Sequence, residues 1–257
     1  MKFLVLVSLL GLAAGLAASP AAAAAMATIP GGSYKPFYSL GKNKGPVKVS
    51  AFSLDVYPVS NADFLAFVKT RPQWQKSRVK AIFADRQYLG HWSGNLNLAP
   101  ALASSPVINV SWFAAQAYCK AQGKQLPTID QWEFAARANE TKADASRDPA
   151  FSRQLLDWYG QPTPVRLPPV GRRRNVYGVY DLHGLVWEWN RDFNSIMLSG
   201  ESREDAGLNR NLYCAGGVAA GADPADYASY MRFAFRSSLE ARYTVQNLGF
   251  RCAKEKS

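Results

Sequence analysis

The sequence predicts one mixed α+β domain with low regular secondary structure, in which loops do much of the packing. Three observations lead there. Aromatic residues make up 12% of the 257-residue chain and seven are tryptophans, which suits large rings filling gaps between irregular segments. Short alternating runs are interleaved with short, well-capped helical runs. No internal repeat, coiled-coil heptad or amphipathic membrane helix interrupts the pattern.

The first residues stand outside that domain. Met1-Lys2-Phe3 is a short positive start, Leu4 to Ala17 is an apolar core, and small residues follow through Ala25. Residues 1–25 therefore read as a secretory signal and 26–257 as the domain. The apolar run is short of the roughly 20 residues of a membrane span. No cysteine lies near the cleavage region and no twin arginine precedes the apolar core, so no lipid anchor is expected and the general export route is. The expected location is the periplasm or the exterior, with no stable membrane anchor.

Along the domain, Ile29 to Tyr34 reads as a short strand and turn, and Val47 to Ser53 alternates like a strand. Ser60 or Asn61 can cap a helix carrying Phe64, Leu65, Phe67 and Val68, broken before Pro72. Residues 72–105 have the least pattern and read as a long surface excursion. Ser111 caps a helix through Lys120 that stops at Gly123, and Thr128 with Gln131 makes a capping box for Ile129 to Ala138. Residues 139–175 show no strong period, and short strands and turns are expected from Tyr177 onward.

The formal net charge is +11. Nucleic acid is the usual partner of such a balance, but export argues against it. The basic residues are mostly scattered, apart from Arg172-Arg173-Arg174 and the Lys76/Arg78/Lys80 set. Each reads either as a solvated face or as a surface for an acidic partner. Three cysteines, Cys119, Cys214 and Cys252, fit an oxidising compartment, and an odd count leaves one unpaired or intermolecular. With two histidines in total, His91 and His183, a three-histidine iron site cannot be built.

The most informative stretch is Gly178 to Trp189. It gathers four oxygen donors, the carboxylates of Asp181 and Glu188 and the carbonyls of Gly184 and Val186, a set suited to a hard cation such as calcium. The alternative is a structural turn with Glu188 in a hydrogen-bond network.

The same stretch resembles the signature of the formylglycine-generating enzyme (sulfatase-modifying factor) family. So do Ile29-Pro30-Gly31-Gly32, Phe52 to Asn61, Pro106 to Trp112, Gln125 to Glu133, Arg236-Ser237-Ser238 and Asn247 to Cys252. The resemblance implies the formylglycine-generating-enzyme fold, related to C-type lectins. It implies a Cys119–Cys252 disulfide, worth roughly 4–5 kcal/mol on a chain-entropy argument, and leaves Cys214 as the free thiol. It also implies a groove in which Trp187 contacts substrate, while Trp189 packs in the core.

The resemblance does not carry the family's chemistry with it. Members that oxidise a sulfatase cysteine hold copper through two cysteines of their own, as soft thiolates suit Cu(I). Here the corresponding run from Gly216 to Phe235 contains no cysteine. Cys214, Tyr227 and Arg232 are the candidate catalytic groups in its place, with Arg236 as a substrate-binding group. Cys214 reads equally as a small buried hydrophobe. The two arginines suit a substrate carboxylate or phosphate, or an ion pair with Asp223 or Asp226.

The segment from Tyr227 to Leu239 resembles an exported branch of the family that includes pyoverdine-maturation and nitrite-reductase accessory proteins. The first reading is thus an exported maturation enzyme, oxidising a peptide or peptide-like substrate, its redox metal unassigned. The second is a non-catalytic binding or assembly scaffold for a periplasmic partner protein.

Overall fold

The structure, a computed structural model, describes residues 25–37, 45–194 and 224–256. Cys214, Asp223 and the expected signal before residue 25 lie outside them, as does the side chain of Asp226.

The strands β1 (Met26–Ile29), β4 (Phe52–Asp55) and β7 (Ala253–Glu255) form one antiparallel sheet in the order β1-β4-β7. The two ends of the domain thus flank β4. A second sheet pairs β2 (Gly32–Tyr34) with β3 (Val47–Val49). The two strands expected from the sequence are each split, because the chain passes from one sheet to the other at Pro30-Gly31 and again at Ser50-Ala51. Gly31 makes this crossing possible: a Cβ there would lie 2.9 Å from the Ala51 nitrogen.

Helix α1 (Asn61–Thr70) takes Ser60 as its cap, in a capping box with Asp63. Asn61 is buried and does something else. Its amide donates to the carbonyls of Leu102, Ser105 and Pro106, and its oxygen accepts from the Trp92 indole at 2.8 Å. That single side chain draws in the segment expected to be a surface excursion. Tyr88, Leu89 and Trp92 are accordingly core residues. Tyr88 and Leu89 precede Trp92 by four and three residues, a helix-like spacing, but the run is short and interrupted by Gly90, so no helix is announced.

Helices α2 (Trp112–Ala121) and α3 (Ile129–Ala136) carry the caps expected, Ser111 and the Thr128/Gln131 box. Two further helices are not expected from the sequence. In α4 (Pro149–Tyr159) Asp148 caps, Pro149 opens the first turn, and Phe151, Leu155, Trp158 and Tyr159 repeat at helical spacing, so the signal is present within a stretch that otherwise reads as polar and proline-bearing. Helix α5 (Pro224–Ser237) occupies a region expected to hold strands and turns, and its Ala228 packs against Phe151 and Leu155 of α4.

The main core surrounds Phe64, Tyr118, Trp189 and Phe250, the Tyr118 and Phe250 rings meeting edge to face at 5.3 Å. Through it runs the Cys119–Cys252 disulfide, joining α2 to the residue before β7. Asp55 of β4 steadies the same junction, accepting from the Cys252 N–H at 3.0 Å and from Lys124 at 2.6 Å. No described helix is long and apolar enough to cross a membrane.

A candidate substrate groove beside Trp187

Strand β5 (Trp187–Glu188) runs parallel to β6 (Leu248–Gly249), with the Trp187 N–H donating to the Asn247 carbonyl at 2.8 Å. The close approach depends on Gly249, where a Cβ would sit 2.7 Å from the Val107 oxygen. Side chains alternate along such a strand. Glu188 therefore turns inward, while Trp187 and Trp189 share the other side. Trp189 is sealed in the core, as expected, and donates to the Val110 carbonyl at 2.9 Å; Trp187 stays half-buried at the edge.

Trp187 is the centre of an aromatic stack. Tyr159 lies on it at 4.9 Å, Phe235 at 4.6 Å and Trp158 at 5.4 Å between ring centroids. Trp158, Tyr159 and Trp187, with Pro168, Arg172 and Asn247, line a cavity of about 260 Å³. Its lining mixes aromatic rings and prolines with the polar side chains of Gln161, Thr163, Arg172 and Asn247. Asn247 donates to the Thr163 hydroxyl at 3.2 Å, and its side-chain oxygen has no partner among the described residues.

The two candidate arginines lie behind this groove, held by a carboxylate that the sequence does not single out. Arg232 donates through Nε and Nη2 to Glu133, through Nη1 to the Tyr159 hydroxyl at 3.0 Å and the Ala228 carbonyl, and through Nη2 to Ser229. A guanidinium has five N–H donors, and all five are engaged. Arg236 donates to Glu133 at 2.6 Å and to Asn190 at 2.9 Å, and stacks over the Trp132 ring. Both expectations change accordingly. Arg232 touches the groove's lining at the Tyr159 hydroxyl, and Arg236, one turn further along α5, is 7% exposed. Their partner among the described residues is Glu133; Asp223 and the Asp226 side chain lie outside those residues.

Tyr227 and Tyr230 stack on each other along α5, their centroids 6.2 Å apart, and neither lines the groove. Cys214 lies outside the described residues. His183 packs edge-on against Trp132 and Phe151 and donates through Nε2 to the Ala136 carbonyl at 2.8 Å, a structural hydrogen bond. Burial, then the nearby Arg232, push its pKa down to about 4, so the ring is neutral.

The two carboxylates among the expected calcium donors are turned to other uses. Asp181 accepts from the backbone N–H groups of Gly171, Arg172 and Arg173. Glu188 accepts from Nε and Nη2 of Arg251 and, at 2.7 Å, from the Trp132 indole; the Glu188 and Arg251 side chains are wholly buried. Both Glu188 oxygens are thus taken and its charge is already balanced, so the arrangement does not fit a cation. The local backbone matches the expected irregular turn, with positive φ at Asp181 and Gly184. We expect neither added calcium nor a chelator to move the melting temperature of the purified domain. A rise of several degrees with calcium would show that the ion displaces Arg251.

Tyr159, Trp158, Glu133 and Asn247 belong to this site, yet the sequence alone points to none of them. Glu133 and Asn247 fall within the family motifs, which is the available signal. Trp158 and Tyr159 continue the helical spacing of Phe151 and Leu155, which is the signal available for them.

An irregular α+β scaffold with termini paired in one sheet, a buried disulfide and an aromatic groove at a W-E-W turn defines a sulfatase-modifying-factor type domain. Residues 13–256 match the family described as the sulfatase-modifying factor enzyme 1-like domain, and the chain belongs to that family. It is 28% identical over 296 residues to the formylglycine-generating enzyme of Streptomyces coelicolor, covering 94% of this chain and 92% of that one. It is also 28% identical over 250 residues to the inactive C-alpha-formylglycine-generating enzyme 2 of Mus musculus, covering 80% and 76%. A 27% identical match to the serine/threonine-protein kinase pkn1 of Chlamydia caviae covers 79% of this chain but only 33% of the kinase. Among solved structures, CarF matches with a TM-score of 0.50 at 16% identity over 91% of this chain and 99% of that one, a likeness of fold alone.

Proposed function

We propose that the protein is an exported maturation factor that takes a peptide or peptide-like substrate in the groove beside Trp187. The reaction assigned to it is an oxidative modification with dioxygen, or another external two-electron acceptor, as oxidant. The observation that carries the binding part is the open aromatic cavity, with the Asn247 oxygen and the Arg172 guanidinium at its wall. An amide oxygen can accept a substrate N–H, and a guanidinium can hold a carboxylate.

The copper route of the family is closed to this chain by arithmetic. Three cysteines are present and two form the disulfide, so one thiol remains where that chemistry needs two. The full engagement of Arg232 favours the second reading, a binding or assembly scaffold, because it takes the one charged candidate next to Tyr159 away from substrate. Equal identity to a formylglycine-generating enzyme and to an inactive relative leaves both readings standing.

Untargeted mass spectrometry of exported peptides tests the proposal, comparing the producing strain with a deletion and with Trp187→Leu and Arg172→Glu variants. The expected result is a precursor that accumulates in all three, differing from the normal product by two hydrogens or one oxygen. A precursor–product pair unaffected by either variant would place the site elsewhere. Loss of a bound partner with no change in any mass would establish the scaffold.

A further inference from the structure

The Lys76/Arg78/Lys80 set is not used by the Trp187 groove, and one of its members, Lys76, lines a second, larger cavity. This one measures about 980 Å³ and lies between segment 76–95 and the Arg242-Tyr243 turn. It shares no lining residue with the cavity at Trp187. We propose that it is a docking groove for an acidic peptide segment of a partner protein.

The walls are pinned in place. The Asp85 carboxylate accepts from the Thr244 N–H at 3.0 Å and from the Thr244 hydroxyl, and the Asp85 N–H donates to the Arg242 carbonyl at 3.0 Å. At the base, the buried Tyr88 donates its hydroxyl to the Trp74 carbonyl at 3.0 Å. Four hydrogen bonds thus hold the walls before any ligand arrives, which lowers the ordering cost of binding.

Charge selects the ligand. Asp85 is the only carboxylate in the lining, and its oxygens are spent on Thr244 and on the Gln87 N–H. Against it stand three cations, Lys76, Arg86 and Arg242. The Lys76 ammonium rests on the carbonyls of Trp92 and Gly90, which are dipoles and not counter-ions. Arg86 makes no side-chain hydrogen bond or ion pair among the described residues. Arg242 has only an exposed contact with Glu240 at 3.3 Å, of a kind worth little. The lining is therefore short of negative charge, and a ligand can supply it.

Size and apolarity favour a peptide over a free anion. Val79, Ala84 and Tyr243 make much of the wall. Ile82 and Phe83, within the same segment, are 70% and 37% exposed. An acidic segment with interspersed apolar side chains meets the charge and covers this surface.

The test uses the full mature chain and two fluorescein-labelled synthetic peptides, one alternating glutamate with leucine and phenylalanine, the other with lysine replacing glutamate. Binding is read by fluorescence anisotropy at physiological salt. The wild type should bind the acidic peptide, and Arg86→Glu/Arg242→Glu should weaken it about tenfold or more while gaining the lysine peptide. Trp187→Leu should leave this binding unchanged, which separates it from the groove described above. Both substituted arginines are exposed, so the reversed variant should keep the wild-type melting temperature. Equal binding by the reversed variant would overturn the proposal. So would equal competition by inorganic phosphate or a single-stranded DNA oligonucleotide, which would mark a general anion surface. A wild-type dimer abolished by the charge reversal would also overturn it, since the groove would then hold a second copy of the chain.

Discussion

Glu133→Gln is expected to lower the stability of the domain by about 3–5 kcal/mol, because it strands two buried arginines at once. Glu133 is the only carboxylate bonded to Arg232 and Arg236 among the described residues, and the arginine side chains are each 8% exposed. A neutral amide keeps some hydrogen bonds and loses the charge. The same group governs acid stability. Burial by itself would raise the Glu133 pKa, but Arg232 and then Arg236 outweigh it and bring it from 4.5 down to about 2. Its folded pKa lies below the unfolded value, so its contribution is complete above about pH 4.5 and lost as the pH falls towards 2. That contribution is on the order of 3 kcal/mol. Thermal melts from neutral pH to pH 2 should show the wild type losing stability across this window and Glu133→Gln losing less there. Identical pH profiles would mean that the arginines find another counter-charge.

Removing the disulfide should cost about as much. Cys119 and Cys252 lie 133 residues apart in sequence, and releasing a loop of that length returns roughly 5 kcal/mol of chain entropy to the unfolded state. Cys119→Ala/Cys252→Ala should therefore unfold at a markedly lower denaturant concentration, as should the wild type under reductant. Thiol titration of the denatured protein gives a direct count: one reactive thiol before reduction, three after. Two or more before reduction would break the case against a paired-thiol copper centre, which rests on Cys214 standing alone.

Much of the fold is legible where its signals are local. Ser60, Ser111 and Thr128 announce three helices because a cap acts within three residues of itself, and all three cap as expected. The disulfide pairing comes through the family resemblance, since three cysteines alone leave the choice open. The segment from 72 to 105 reads as surface and most of it is exposed, but it sends Tyr88, Leu89 and Trp92 into the core, held there in part by Asn61 at the head of a neighbouring helix. Helix α4 carries local signals of the same kind, the Asp148 cap and the helical spacing of Phe151, Leu155 and Trp158, but they lie within a polar, proline-bearing stretch that reads as loop.

The candidate site divides in the same way. Trp187 is recognisable from its motif, and its half-buried place at the groove agrees with that reading. The importance of the arginines is visible in the sequence, but not that their donors are already occupied. Glu133 lies 99 positions from Arg232 in sequence, and no local pattern links them.

The amino-acid sequence alone determined the helix caps, the family of folds and the supply of thiols, because each depends on near neighbours or on simple counting. Only the tertiary structure decided which carboxylate answers which guanidinium. Buried charges must be paired, but the partner is whatever group the folded path of the chain brings within hydrogen-bonding distance. That path made Glu188 the partner of Arg251, made Glu133 the partner of Arg232 and Arg236, and left the aromatic groove at Trp187 open.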